Sequence, residues 1–460
     1  MRERNITISG FPFINFLKMS AFTTVNEHVK FFIQGHLPPD HTMDIIRTKH
    51  VGDDVTVTVV DDQGNSLIIF WGMISSLKIE VVNELQCLSL ELISMTYNSD
   101  VIPRTRTFQD SSMTYEEVAD IIEEDSGKVT ILVPYSRTRP IGEMFVQYEV
   151  TDWEAAKQLA ARMNTCVVPH YRMYESYFCI GIPQSRKEIK LTKVAYSIKK
   201  DVGEYLRHSA DNPEYTEREA ISYEIVSRDI YQLCDEIMLN DIPVPLYVYS
   251  IKSELIGAVL VHTYVLKEKE GFSTLGQYNH KLIGASLLGN VIEIERDLVR
   301  VEILDDVKQK EHRWFSYSTP YSSSDETGWY FMPEIGDRIR LHFPNECEEE
   351  SYVISCVHMG NRAQADVKSI ITRHQKQVIF NPDSIYISNG AGSHIELHDE
   401  NGITISSDKT ISVQSEDDIT IQGQSQIFVM GDDGVTIRQG DNLIQVDDVI
   451  DVTAGHVRMR

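Results

Sequence analysis

The last third of the chain contains histidines and carboxylates of the types that bind metals. The segment His394-Ile-Glu-Leu-His398 places Glu396 between two histidines. A zinc protease needs its glutamate directly after the first histidine, with both histidines on one face of a helix. Here Glu396 is the third residue and the alternation predicts a strand, so His394, Glu396 and His398 are expected on its solvent face. The segment therefore predicts a solvated surface and not a zinc site.

Carboxylates that could act in pairs on a glycosidic bond are frequent, but their positions indicate turns. Asp399-Glu400-Asn401-Gly402 and Gly431-Asp432-Asp433-Gly434 separate short apolar pairs, and these residue types favour turns. The sequence has no nucleophile-elbow, phosphate-loop or dinucleotide-binding motif. We therefore predict no catalytic residue and no cofactor. The net charge of −26 repels phosphate, so we also predict no nucleic-acid partner.

The elements around these residues repeat with a short period. From Ile395 to Val435, the first residue of each apolar pair recurs every eight residues. A fixed period indicates a repeat architecture, and the alternation indicates strands with one apolar face. The predicted inward-facing core of this needle is Ile395, Leu397, Ile403, Ile405, Ile411, Val413, Ile419, Ile421, Ile427, Val429, Val435 and Ile437.

Strands with only two inward aliphatic residues each cannot enclose a core within one chain. Three chains wound about a common axis can enclose one, and they leave no strand edge unpaired. We therefore predict an intertwined, trimeric, triple-stranded β-helix over residues 381–460, with an acidic outside because this region has 14 acidic and 4 basic residues. A flat antiparallel meander explains the alternation but not the eight-residue period, and it leaves a long edge exposed.

The rest of the chain is also predicted to be mainly β. Residues 281–365 alternate over five short strands, which suits a small barrel of the OB type. Residues 1–280 favour strands with a few helices, and the two clearest helices begin after Thr114 and Thr151, each with a glutamate three residues later. Residues 366–380 are predicted to connect the barrel to the needle.

Three segments, in this order, resemble motifs of the VgrG-like spike and hub proteins of contractile injection systems, which include phage tail hubs joined to a central spike. Gln147–Ala160 is similar to the Tyr-x-x-Thr-Asp-aromatic helix of the hub domain. Gly328–Ile339 resembles the Gly-x-x-aromatic-x-Pro-x-x-Gly-Asp-x-Val motif of the barrel, and His394–Ile405 resembles the start of the needle. The resemblance extends over nearly the whole chain, although residues 170–280 match only in general character.

The resemblance implies a homotrimeric spike whose work is mechanical and not enzymatic. Residues 1–280 would form a hub of two barrel-like halves, a pseudo-sixfold ring that matches a sixfold tube to a threefold needle. The barrel and needle would form the tip that pierces the target membrane. Implied partners are inner-tube and other tail proteins next to the hub, baseplate components and a tip protein or effector, with transient contact to the target membrane. Asn361–Phe380 is too short for the lysozyme that some phage spikes carry.

His456 is the one candidate metal ligand that the resemblance leaves open. Spike tips of this family often carry a His-x-His pair that binds iron, whereas Arg458 stands at the second position here. One histidine per chain at a threefold axis brings three imidazoles together, which suits a transition metal. The alternative interpretation is a solvated chain terminus.

The site of action is expected to lie outside the producing cell. The first 20 residues lack the small-residue cleavage site of a signal peptide, and no apolar run reaches the ~20 residues of a membrane helix. We expect assembly in the cytoplasm and delivery outside the cell or into a target cell, as part of a phage tail-like particle or a secretion machine. Two other functions stay open: a β-helical, secreted polysaccharide-processing enzyme, which needs paired carboxylates or a metal in a cleft, and a receptor-binding tail fibre.

Overall fold

The computed structural model describes residues 6–38, 42–60, 64–83, 85–134, 138–184, 188–257, 259–308, 310–325, 327–360, 365–446 and 450–458. The chain divides into two compact units, Met1–Met359 and Gly360–Arg460, and each is described by itself. Strands account for 44% and helices for 13%, and none of the sheets that the described residues form is closed. The predicted mainly β class is therefore confirmed, while the domain boundaries stay predictions.

The first unit is built mainly from strands because β-branched and aromatic residues alternate with polar ones over much of its length. Its strands are β1 (Ile6–Ile8), β2 (Asn15–Thr24), β3 (Lys30–Leu37), β4 (Asp54–Val60), β5 (Ser66–Val82), β6 (Leu85–Ser94), β7 (Arg104–Phe108), β8 (Thr130–Leu132), β9 (Phe145–Val150), β10 (Val167–Pro169), β11 (Tyr177–Ile180), β12 (Glu188–Leu191), β13 (Tyr196–Lys200), β14 (Ile221–Ser227), β15 (Glu236–Leu239), β16 (Leu246–Ile256), β17 (Val259–Lys267), β18 (Ser286–Glu295), β19 (Leu298–Ile303), β20 (Trp314–Ser316), β21 (Arg338–His342) and β22 (Tyr352–Cys356).

Helices are short and few. The α-helices are α1 (Thr42–Thr48), α2 (Tyr115–Ser126), α3 (Asp152–Arg162) and α4 (Val202–Asp211). Short 3-10 helices cover Met95–Asp100, Lys269–Phe272, His280–Leu282 and Glu348–Glu350. Within the described residues, no helix has the length and apolar character needed to cross a membrane.

One large sheet forms the framework of the first unit. Its order is β1-β4-β5-β6-β3-β2-β16-β17-β14-β13, with β15 beside β16 and β12 beside β15. Strands β4 and β5 form an antiparallel hairpin, with Val57 opposite Phe70. Val57, Phe70, Leu90 and Tyr264 are fully buried in the core that this sheet covers. The framework ends on β13, which pairs only with β14 among the described strands.

A second core lies between α2, α3 and the three-stranded sheet β10-β11-β8. Both predicted capping boxes are formed, Thr114 with Glu117 and Thr151 with Glu154. They fix the starts of α2 and α3 because each satisfies two backbone N–H donors at the helix N-terminus. Trp153 is 2% exposed and packs at the centre of this core.

The five strands predicted for the barrel region form one antiparallel sheet in the order β20-β19-β18-β21-β22. A single parallel bridge joins Tyr317, next to β20, to Val353 in β22. Phe315, Ile339 and Val353 are buried in its core. The strand count is thus confirmed, and the OB-type assignment stays a prediction.

The second unit consists of two antiparallel meanders with a strand-free segment between them. The strands are β23 (Lys368–Ile371), β24 (Gln377–Phe380), β25 (Ser384–Ser388), β26 (His394–His398), β27 (Gly402–Ser406), β28 (Val435–Gln439), β29 (Asn442–Val446) and β30 (Ile450–Thr453). Strands that are neighbours in sequence pair with each other in order. Within one chain, both groups of strands therefore form the antiparallel meander that was considered as the alternative to the β-helix. The predicted connector contains β23 and β24. Pairing between chains stays a prediction.

Candidate assembly surface

The helix motif near residue 150 holds the first unit together. The Thr151 hydroxyl accepts a hydrogen bond from the Glu154 amide at 3.2 Å and caps α3. Asp152 Oδ1 accepts from Arg106 Nη1 at 2.7 Å, and Trp153 stacks on His28 with ring centroids 4.1 Å apart. These contacts tie α3 to β7 and to the segment before β3, so the motif positions elements of the fold.

Arg106 is shared by several acceptors. Its guanidinium also donates to Gln147 Oε1 at 2.6 Å and, through Nε, to Asp125 Oδ2 at 3.0 Å. Partial burial raises the pKa of Asp125, but the hydrogen bond and charge of Arg106 and the charge of Arg104 outweigh it, so the pKa lies below its ordinary value. The carboxylates around Arg106 are therefore committed to structure.

The barrel motif has a structural end and an exposed end. Gly336 has φ +93° and its amide donates to the Val291 carbonyl at 2.8 Å, which sets the turn into β21. At the other end, the exposed fractions of Trp329, Tyr330 and Phe331 are 56%, 69% and 50%. Three exposed aromatic residues in succession are typical of a contact surface.

Carboxylates next to a cavity of the first unit serve turns. A cavity of about 710 Å³ is bordered by Asp229, Asp235 and His170. Asp235 Oδ2 accepts from the Gln232 amide at 2.7 Å, and Asp229 Oδ2 accepts from the Tyr231 hydroxyl at 3.4 Å. The two carboxylates therefore act as hydrogen-bond acceptors of the loop, in agreement with the turn chemistry expected of acidic residues here.

One face of the sheet β23–β27 is apolar and open. Ile395 lies opposite Ile387 on one side and opposite Ile405 on the other, so their side chains share a face. The remaining members of this face pair in the same way. The apolar face comprises Ile370, Val378, Phe380, Ile385, Ile387, Ile395, Leu397, Ile403 and Ile405. All of them except Val378 are at least 38% exposed.

The apolar face includes residues that the sequence prediction did not contain. Ile370, Val378 and Phe380 fall in the predicted connector, yet they extend the same face by two strands. The alternation of Val378 and Phe380 is the signal that could have identified them. An apolar face of this extent marks an interaction surface.

The opposite face carries the histidines. As the alternation predicts, His394, Glu396 and His398 point away from the aliphatic residues. His398 Nδ1 accepts from the Glu400 amide at 3.1 Å, its Nε2 lies 3.9 Å from Asp383 Oδ2, and Tyr386 packs on His394 at 5.2 Å. In the described part of the chain, no three His, Cys, Asp or Glu side chains are grouped to hold a metal ion.

The segment 407–434 repeats its conformation every eight residues without forming strands within the chain. Ile411, Ile419 and Ile427 are 53%, 53% and 52% exposed, and the second members of their pairs, Val413, Ile421 and Val429, are 73%, 74% and 68% exposed. The Ser407 hydroxyl accepts from the Lys409 amide at 3.1 Å, and Ser415 accepts from Asp417 at 3.2 Å eight residues later. Each of these six aliphatic side chains is therefore more than half exposed within the described chain.

The remaining predicted core residues and the candidate metal ligand follow the segment 407–434 in sequence. Val435 and Ile437 are in β28, opposite Val446 and Ile444 of β29. His456 is exposed near the end of the described chain. A threefold cluster of His456 side chains would need other copies of the chain, so the metal site at His456 stays a prediction.

Comparison with known proteins identifies the fold. No family model matches the chain, and no curated protein matches it. The E. coli c3393 protein superimposes with a TM-score of 0.53 at 12% identity, over 77% of this chain and 100% of that chain. It is described as a component of the type VI secretion system with structural similarity to the T4 bacteriophage tail proteins gp27 and gp5. The fold is that of a VgrG-like tail hub.

Further solved structures agree with this fold. The half-lidded Francisella PdpA–VgrG complex gives a TM-score of 0.53 at 8% identity, covering 88% of each chain. The lidless PdpA–VgrG complex gives 0.51 at 9% identity, covering 85% of this chain and 93% of that one. At such identities the likeness establishes the fold alone. The resemblance to the VgrG-like hub is confirmed, and these neighbours are structural tail or hub proteins.

Proposed function

We propose that this protein is the hub and central spike of a contractile injection machine and that it works as a homotrimer. The observation that carries the proposal is the open apolar face of β23–β27 in a chain with the VgrG-like hub fold. Burial of apolar surface contributes roughly 25 cal/mol per Å², so an uncovered face of this size favours association. Three copies around one axis bury their faces against each other.

The segment 407–434 supports the needle part of the proposal. It repeats every eight residues, exposes its aliphatic side chains and lacks strand partners within the described chain. Pairing with two other chains gives each backbone group a partner and closes the apolar side, as the intertwined β-helix requires. The result is a narrow, rigid needle that pierces the target membrane, in a chain whose hub matches a sixfold tube to a threefold tip.

Partners and location follow from this role. The protein contacts inner-tube and other hub-adjacent tail proteins, baseplate components and a tip protein or effector. It is assembled in the cytoplasm and acts outside the cell or inside the target cell. It performs no catalysis and carries no cofactor, apart from a metal ion that three His456 side chains could share at the tip.

Limited proteolysis of the full chain tests the proposal. Chains that are wound together must unwind together, so residues 381–460 should persist as a trimeric, protease-resistant fragment. Heating the fragment in SDS before electrophoresis gives the monomer band for comparison. Rapid digestion of this region would contradict the proposal and would favour a monomeric enzyme. A resistant trimer that binds cells without any tail-like particle would favour a receptor-binding fibre.

A further inference from the structure

One eight-residue repeat of the needle differs from the others on its outer side. Side chains of an extended chain alternate between two sides, so the residues that follow the inward aliphatic positions point away from the axis of the proposed needle. Each repeat has two such outward positions. The first holds Thr404, Ser412, Thr420, Phe428 and Thr436 in turn, and the second holds Ser406, Gln414, Gln422, Met430 and Arg438. One repeat therefore presents two large apolar side chains where the others present polar ones.

These two side chains, which we call the outer patch, are exposed within the described chain. Phe428 is 76% exposed and Met430 is 88% exposed. Winding three chains about an axis buries Ile427 and Val429 but leaves Phe428 and Met430 outside, because residues on opposite sides of a strand cannot both face the axis. The proposed trimer therefore displays three copies of the outer patch at one level of the needle. Exposed apolar groups in such an arrangement mark an interaction surface.

The charges on both sides of the outer patch are negative. Residues 410–437 contain five carboxylates and no Lys or Arg. All five residues are exposed, and they are Glu416, Asp417, Asp418, Asp432 and Asp433. Among the described residues, none of these carboxylates forms an ion pair, and the nearest ion pair in sequence joins Lys409 to Asp408. The negative charge of this stretch is therefore available to a partner.

This charge decides which kind of partner fits the outer patch. Contact between two needles would bring like charges together, and so would contact with a membrane that contains anionic lipids. A protein surface with Lys or Arg around an apolar centre is complementary, because its cations meet the carboxylates while its centre covers the two apolar side chains. Aromatic residues and Met are also enriched in the buried centres of protein interfaces.

We propose that the outer patch of Phe428 and Met430 docks a partner protein through an apolar surface bordered by basic side chains. The contact lies on the side of the needle, and the trimer offers it three times. The inference rests on the proposed trimeric needle, since the outward direction of Phe428 follows from the winding of three chains. It adds the chemistry of one partner and the two residues that bind it.

Binding of two labelled peptides to the full chain tests this. The probes are amphipathic helical peptides of ~18 residues, one made of Leu and Lys and the other of Leu and Glu. The test variant carries Phe428→Thr and Met430→Gln, which are the residue types at these positions one repeat earlier. The control variant carries Thr420→Ser and Gln422→Asn. The solution mass of each sample is measured first, and fluorescence anisotropy then gives the affinities.

The Leu/Lys peptide should bind the wild-type trimer, more weakly as salt is added, and the Leu/Glu peptide should not bind. The test variant should stay trimeric and bind the Leu/Lys peptide at least ~10-fold more weakly, because two apolar side chains are no longer buried in the contact. The control variant should keep the wild-type affinity.

A trimeric test variant that binds the Leu/Lys peptide as well as the wild type overturns the docking inference and leaves the proposed spike intact. A wild-type trimer that binds neither peptide, or both equally, has the same consequence. Binding to phosphatidylcholine vesicles that the test variant loses would assign the outer patch to a lipid surface instead. Loss of the trimer in the test variant alone would place the patch inside the needle and overturn the inference. A monomeric wild type overturns both proposals.

Discussion

Arg106 and Asp152 form an ion pair inside the first unit, with Nη1 2.7 Å from Oδ1 and both side chains 6% exposed. The pair lies where β7 meets the start of α3, next to the capping Thr151. A buried pair of this kind fixes the position of the helix more than it adds stability, because desolvation offsets most of the attraction. Removing one partner of the pair is nevertheless costly, because the other charge then stays buried without it.

Substitution Arg106→Met should destabilise the first unit by about 3 kcal/mol, because the buried Asp152 loses its close cation and keeps only the Gln147 amide at 3.0 Å and Arg104 Nε at 3.8 Å. Lys78→Met is the control, since the Lys78 side chain is 66% exposed and pairs with Glu80, whose side chain is 48% exposed. We expect the control to change stability by less than ~0.5 kcal/mol. Urea unfolding followed by fluorescence measures both, and equal effects would contradict a structural role for Arg106.

The two capping boxes offer a matched comparison. Thr114→Ala should cost about 1 kcal/mol, the usual loss for a helix N-cap. Thr151→Ala should cost more, because the Thr151 hydroxyl also donates to Asp100 Oδ1 at 2.5 Å. Loss of a hydrogen bond to a charged group adds ~1.5–3 kcal/mol. The midpoint of thermal unfolding should fall further for Thr151→Ala than for Thr114→Ala. A fall for Thr151→Ala that is no larger than for Thr114→Ala would show that the Asp100 contact contributes nothing.

Asp306 gives a prediction about pH. Burial raises its pKa above the ordinary value of 3.8, and the hydrogen bonds from Thr107, Ile303 and Gln109 offset this only in part. A carboxyl with a raised folded pKa contributes most to stability below its unfolded pKa, and that contribution is lost as the pH rises through the folded pKa. The stability of the wild type relative to Asp306→Asn should therefore increase as the pH is lowered from 7 toward 4.

Asp125 is the control, because its pKa is shifted in the opposite direction. Its pKa is lowered, so its contribution is present above 3.8 and is lost as the pH falls through the folded value. The effect should be small, since the Asp125 side chain is 54% exposed. Unfolding curves of the wild type, Asp306→Asn and Asp125→Asn at several pH values measure both effects. A stability difference for Asp306→Asn that shrinks on acidification would contradict the argument from burial.

Local patterns in the sequence predicted much of this fold. Alternation identified β26 and β27, and the Thr-x-x-Glu spacing identified the starts of α2 and α3, since both signals arise from neighbouring residues. Partners that are distant in sequence were not predictable in this way. The contacts of Arg106 with Asp152 and of Trp153 with His28 depend on how the elements pack. The prediction of the apolar face did not contain Val378 and Phe380, because their strand lies within residues 366–380, which were predicted to be a connector.

The strand register of the needle is tested by two adjacent substitutions. Ile419→Asp should place three carboxylates in one closed apolar layer of the proposed trimer, where each unpaired charge costs several kcal/mol. Thr420→Asp should add charge to an acidic outer surface, with an effect within ~0.5 kcal/mol. We expect the first variant to lose the trimer and the second to keep it. Equal retention of the trimer on size exclusion would show that the register, and with it the triple β-helix, is wrong.

The central claim is that this chain works as a homotrimer, and its solution mass tests this most directly. Sedimentation equilibrium or light scattering of the full chain should give three times the chain mass of 52.6 kDa, with no change on moderate dilution, because intertwined chains dissociate slowly. Double substitution Ile395→Asp and Leu397→Asp on the apolar face should shift the mass to that of one chain. The pair Glu396→Gln and His398→Gln, on the opposite face of the same strand, should keep the trimer. A mass of 52.6 kDa for the unmodified protein would contradict the account.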